Sequence, residues 1–100
     1  MKRYSVIILA EAEHDFENAY LYIKKDSPQN ALNWYRDVYD KIQSLSAFPL
    51  RCPLAPENDF FPEEIRHLII DNYRILYTTT EDTVYILHLR HGRQQWLRPE

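Results

Sequence analysis

The sequence predicts an α+β domain. Two helices form an antiparallel hairpin packed on one face of a small antiparallel sheet, in the order βααβββ. Three observations carry that reading. Apolar residues recur at helical spacing from Ala12 to Ile23 and again from Ala31 to Leu45. From Ile65 onward the period becomes two. The chain has 100 residues, 45% hydrophobic and 27% charged, which suits one core and one domain spanning residues 1–100.

The first element is the apolar, β-branched run Tyr4 to Leu9, a largely buried strand. Ala12, Phe16, Ala19, Tyr20 and Ile23 then form one helical stripe. Glu11, Glu13, Asp15 and Glu17 crowd its start and Lys24 and Lys25 its end, as the helix dipole favours. The second helix opens on Ser27 as N-cap and Pro28 as first residue, carries Ala31, Tyr35, Val38, Ile42 and Leu45, and stops at Pro49. A loop of about three residues should join the helices. Residues 49–63 hold four prolines and read as an extended surface loop, tethered by Phe60 and Phe61. Strands follow at about 65–70, 73–79 and 83–90. Asp71-Asn72 and Thr80-Glu81-Asp82 supply the turns. In the last strand Tyr85, Leu87 and Leu89 should share one face, with His88 and Arg90 on the other.

Composition narrows the function classes. There is one glycine, Gly92, so a phosphate-cradling glycine loop is not expected, and no cofactor motif is present. Cys52 is the sole cysteine, which excludes an intrachain disulfide and fits a reducing cytoplasm. The run Val6 to Ala10 is too short for an export signal, and no run approaches the roughly 20 apolar residues of a membrane span. His88 and His91 lie three apart without a nearby cysteine or acid, so no metal site is expected. Trp34 suits either core or interface, and exposure of Trp34 with Tyr22 and Tyr39 would mark a partner groove.

The protein has a net charge of −3, yet Thr83 to Arg98 holds Arg90, Arg93, Arg98, His88 and His91 and no acid. The predicted hairpin brings Arg74 beside Arg90, His91 and Arg93, with Arg66 and His67 as more distant candidates. Such a group either pairs with the acids of the first helix or holds an anion or an acidic partner.

The run Asn72-Tyr73-Arg74-Ile75-Leu76-Tyr77, an acidic turn, then Val84 to Leu89 and Arg90-His91-Gly92-Arg93, resembles the RelE/ParE toxin superfamily of type II toxin–antitoxin modules. The resemblance covers nearly the whole chain. It implies a plasmid-stabilisation toxin silenced by a cognate antitoxin, as a toxin–antitoxin heteromer, with a homodimer left open. RelE-like members cut mRNA in the ribosome; ParE-like members poison DNA gyrase. A nuclease would use Arg74 and Arg93 on the scissile phosphate and His91 as acid or base. Arg66, Arg74, Arg90, His91, Arg93 and Trp96 form the anion- or partner-binding set that the resemblance and the hairpin geometry give together. The chain departs from RelE-like members: Ile65-Arg66-His67-Leu68 contains no lysine, and Trp96 stands where many have a tyrosine. With net charge −3 opposing a broad phosphate footprint, the ParE-like reading leads. A RelE-like endonuclease is the alternative, and a non-toxic interaction domain of the same fold the second.

Overall fold

The computed structural model describes residues 2–92. Strand β1 (Ser5–Ile8) leads into α1 (Ala10–Asp26) and α2 (Pro28–Ser44); two 3₁₀ turns (Pro49–Arg51 and Pro56–Phe60) precede β2 (Arg66–Ile70), β3 (Tyr73–Thr79) and β4 (Thr83–His91). The βααβββ order and the α+β class are as the sequence predicts. The sheet order is β1-β4-β3-β2. β2, β3 and β4 are antiparallel, but β1 joins β4 in parallel, so the sheet is mixed. Parallel pairing follows from the helical hairpin, which carries the chain across the sheet between β1 and the later strands.

The predicted three-residue helix connection shrinks to Ser27 alone. Its N–H donates to Ile23 O at 3.1 Å, which ends α1, and its Oγ accepts from Asn30 N–H at 3.2 Å, which starts α2. An extended serine followed by a proline with fixed φ turns the chain in one residue.

Both helices pack on one face of the sheet. Phe16 from α1 and Val38 and Ile42 from α2 meet Ile75, Tyr77, Val84 and Ile86 in one buried cluster. The proline-rich segment covers the other face, where Ala55, Ile65 and Leu76 form a second cluster with Phe61 and Leu87 against it. Of the two phenylalanines expected to tether this loop, Phe61 packs on that second cluster.

One bulge changes the alternation in β4. Leu76 pairs with His88 and Tyr77 with Ile86, leaving Leu87 as the extra residue. Before the bulge Val84 and Ile86 face the helices; beyond it Leu89 does. The expected grouping of Tyr85, Leu87 and Leu89 on one face therefore fails, because strict period two cannot anticipate an inserted residue. No helix among the described residues is long and apolar enough to cross a membrane.

Candidate functional site: the hairpin end and the helical hairpin

Residues directly paired across strands share a face. Ile69, Arg74 and Arg90 make one row on the loop-covered face. Ile70, Tyr73 and His91 make the adjacent row, on the helix face. Arg74 and Arg90 thus come together as predicted, whereas His91 turns the other way. Its ring meets Tyr73 edge-on at 5.2 Å, and Tyr73 in turn packs on Trp34 of α2 at 5.2 Å.

Arg74 is not an open fork. Its Nη1 and Nη2 donate to Oε1 and Oε2 of Glu57 at 2.9 and 2.7 Å, and Glu57 is wholly buried in the second 3₁₀ turn. Nη1 also reaches His67 Nδ1 at 3.3 Å. A guanidinium only donates, so Nδ1 is the unprotonated nitrogen of that imidazole. Burial, then the Arg74 charge, lower the His67 pKa from its usual 6.5, against an opposing pull from Glu57. His67, a more distant candidate in the sequence reading, is half-buried directly against Arg74.

Arg66 stands at the far end of β2, opposite Tyr77. Its Nη1 donates to Cys52 O at 2.6 Å and its Nη2 lies 3.6 Å from Glu64. It does not join the Arg74 row. Arg93 and Trp96 fall outside the described residues. The acids of α1 do meet β4, but at a histidine. Asp15 Oδ2 accepts from Leu89 N–H at 3.1 Å and lies 3.3 Å from His88 Nδ1, while Glu11 lies 3.4 Å from His88 Nε2. Asp15 satisfies a β4 amide beyond the end of β1, where no strand among the described residues accepts it. Glu57 was not singled out from sequence. A lone acid in a proline-rich loop carries no periodic signal that it will be buried.

The outer surface of the helical hairpin has a different character. Trp34 is buried, the core alternative of the sequence reading, so the joint exposure with Tyr22 and Tyr39 that would mark a partner groove does not occur. Leu21, Leu32 and Tyr35 are exposed instead, and they border an open groove of about 460 Å³. Tyr35 packs on Tyr39 at 4.6 Å and meets Tyr20 edge-on at 5.6 Å, which stiffens its wall. Burial and the hydrogen bond with Tyr35 raise the pKa of Tyr39, so its phenol stays protonated. Glu13 and Glu17 give the groove an acidic edge. Among the described residues no cluster of His, Cys, Asp or Glu is fit to hold a metal ion.

This architecture has relatives. The family model described as the ParE toxin of the type II toxin–antitoxin system parDE matches residues 6–96. The chain belongs to the ParE toxin family. Among solved structures, this ParE family member is similar to a chain of the chromosomal ParDE system from P. aeruginosa, with TM-score 0.73 and 17% identity over 89% of this chain and 96% of that one. It is also similar to a chain of the toxin–antitoxin complex RelBE2 from Mycobacterium tuberculosis, with TM-score 0.59 and 26% identity over 91% and 93%. A comparison with curated proteins finds no match. As a ParE toxin family member, the chain is the toxin of a type II module.

Proposed function

We propose that this ParE-family toxin is silenced by an antitoxin laid along its helical hairpin and, when released, inhibits DNA gyrase without cutting RNA. The carrying observation is the closure of Arg74 by Glu57. Cutting RNA through its 2′-hydroxyl needs a base, an acid and cations that converge on one phosphate. Here the Arg74 fork is filled by a carboxylate, Arg66 is engaged at the other end of β2, and His91 lies across the sheet. A net charge of −3 also disfavours a broad ribosomal footprint.

The antitoxin partner is supported by the similar solved structures, both of which come from toxin–antitoxin systems. The exposed Leu21, Leu32 and Tyr35 offer the apolar surface such a partner needs. The likeness to the RelBE2 complex favours the RelE-like endonuclease as a second reading.

A supercoiling assay with purified gyrase tests the first reading, and inhibition is the expected result. A ribosome-programmed translation assay tests the second. Codon-positioned mRNA cuts that vanish in Arg93→Ala would replace gyrase inhibition with nuclease action. Normal growth at high expression without an antitoxin would leave an interaction domain of this fold.

A further inference from the structure

Two surface patches of this chain have opposite charge. The first centres on Phe48, which takes a left-handed backbone (φ 52°) and is 63% exposed. A bulky residue rarely adopts that conformation, and here no burial offsets its cost. The turn is held rigid from several sides. Arg51 Nη1 donates to Ala47 O at 2.9 Å and to Phe48 O at 3.3 Å. Tyr77 donates its hydroxyl from the core to Pro49 O, and Tyr4 N–H reaches Ser46 O at 2.9 Å. Leu50 stands beside Phe48, 53% exposed. Lys2 and Arg51 border the same depression, and Arg3 reaches Ser46. All three cations donate to carbonyls or hydroxyls, and none pairs with a carboxylate among the described residues. The result is a fixed apolar knob with a cationic rim.

The second patch is the hairpin groove. Leu21 and Leu32 are 48% and 54% exposed, and Glu13 and Glu17 border them without an ion pair among the described residues. Lys24 lies over the ring of Tyr20, which borders the groove. The groove volume of about 460 Å³ has room for a phenyl ring and a leucine side chain.

We propose that the two patches bind each other between copies of this chain: the Phe48 knob of one molecule enters the hairpin groove of the next. Apolar centres match, and Lys2, Arg3 and Arg51 face Glu13 and Glu17. A pre-organised aromatic loses little freedom on docking. Leu32 and Ser44 lie twelve residues apart along α2, about 18 Å, so the patches are separate surfaces and the contact is head-to-tail. Such contacts propagate into rings or open chains rather than stopping at a dimer. The contact is small, so the association is weak. It uses the hairpin surface assigned above to the antitoxin, so it forms between copies free of that partner, and it does not rest on the gyrase reading.

Analytical ultracentrifugation of the whole chain tests it, with wild type carried to about 0.5 mM, where weak contacts populate. The mean mass should climb past that of a dimer. Phe48→Asn disables the knob with a residue that tolerates a left-handed backbone, and Glu13→Lys with Glu17→Lys disables the groove. Each variant alone should associate about tenfold or more weakly. An equimolar mixture of the two should stop at a dimer, since one live knob then meets one live groove. A wild type that stays monomeric overturns the proposal, as does undiminished growth in either variant or a mixture that stays monomeric. Circular dichroism checks each fold; Leu50→Ser or Leu32→Ser replaces any variant that loses its helical signal.

Discussion

Glu57 and Arg74 sit 17 positions apart in sequence and form a two-pronged ion pair, at 2.9 and 2.7 Å, beneath the loop that covers one face of the sheet. The pair fastens the second 3₁₀ turn to β3. It also leaves that guanidinium little capacity for an outside anion.

Removing one partner should strand the other. Glu57→Ala or Arg74→Ala alone should cost about 3–5 kcal/mol in urea unfolding. Glu57→Leu combined with Arg74→Met should recover most of that loss, because packed apolar groups replace a buried pair at little cost. A double variant as unstable as the singles would show that the loop needs the charges themselves.

His67 should make stability depend on pH. Its folded pKa is depressed below the usual 6.5, so as pH falls the unfolded chain takes up the proton first. The contribution is fully present above about pH 6.5 and is lost as pH falls toward the lower folded value. His67→Gln should flatten the stability curve between about pH 5 and pH 7 relative to wild type. Parallel curves would contradict this assignment.

Asp15 holds the β4 edge beyond β1 through Leu89 N–H and the His88 ring. Asp15→Ala leaves that amide without its acceptor and should destabilise by about 1–3 kcal/mol. Hydrogen exchange should rise at Leu89 before it rises in the body of β3.

Phe48 tests the price of a left-handed aromatic. Phe48→Gly should keep or raise the melting temperature, with a gain of up to about 1 kcal/mol, since glycine adopts φ 52° without strain. A clear loss would mean that the ring packs in solution.

Much of this fold was legible because its elements obey simple periods. Ala12, Phe16, Val38 and Ile42 announce two helical faces and are all buried. Ser27-Pro28 marks the helix start, though its economy in ending α1 as well is a tertiary outcome. The hairpin register pairing Arg74 with Arg90 was also readable from turn positions. What was not readable depends on contacts distant in sequence. The bulge at Leu87 reverses the inward face of β4, and no residue type announces it. Glu57, in a 3₁₀ turn, is neutralised from β3, and Phe48 acquires its conformation from clamps at Arg51 and Tyr77.

Strand β1 has a bearing on biosynthesis. Its only neighbour in the sheet among the described residues is β4, and Ser5 pairs with Thr83, 78 residues later. β1 leaves the ribosome well before β4 and must wait for that strand before it finds its place. A nascent or prematurely terminated polypeptide ending before Thr83 therefore lacks the central strand and cannot assemble the sheet.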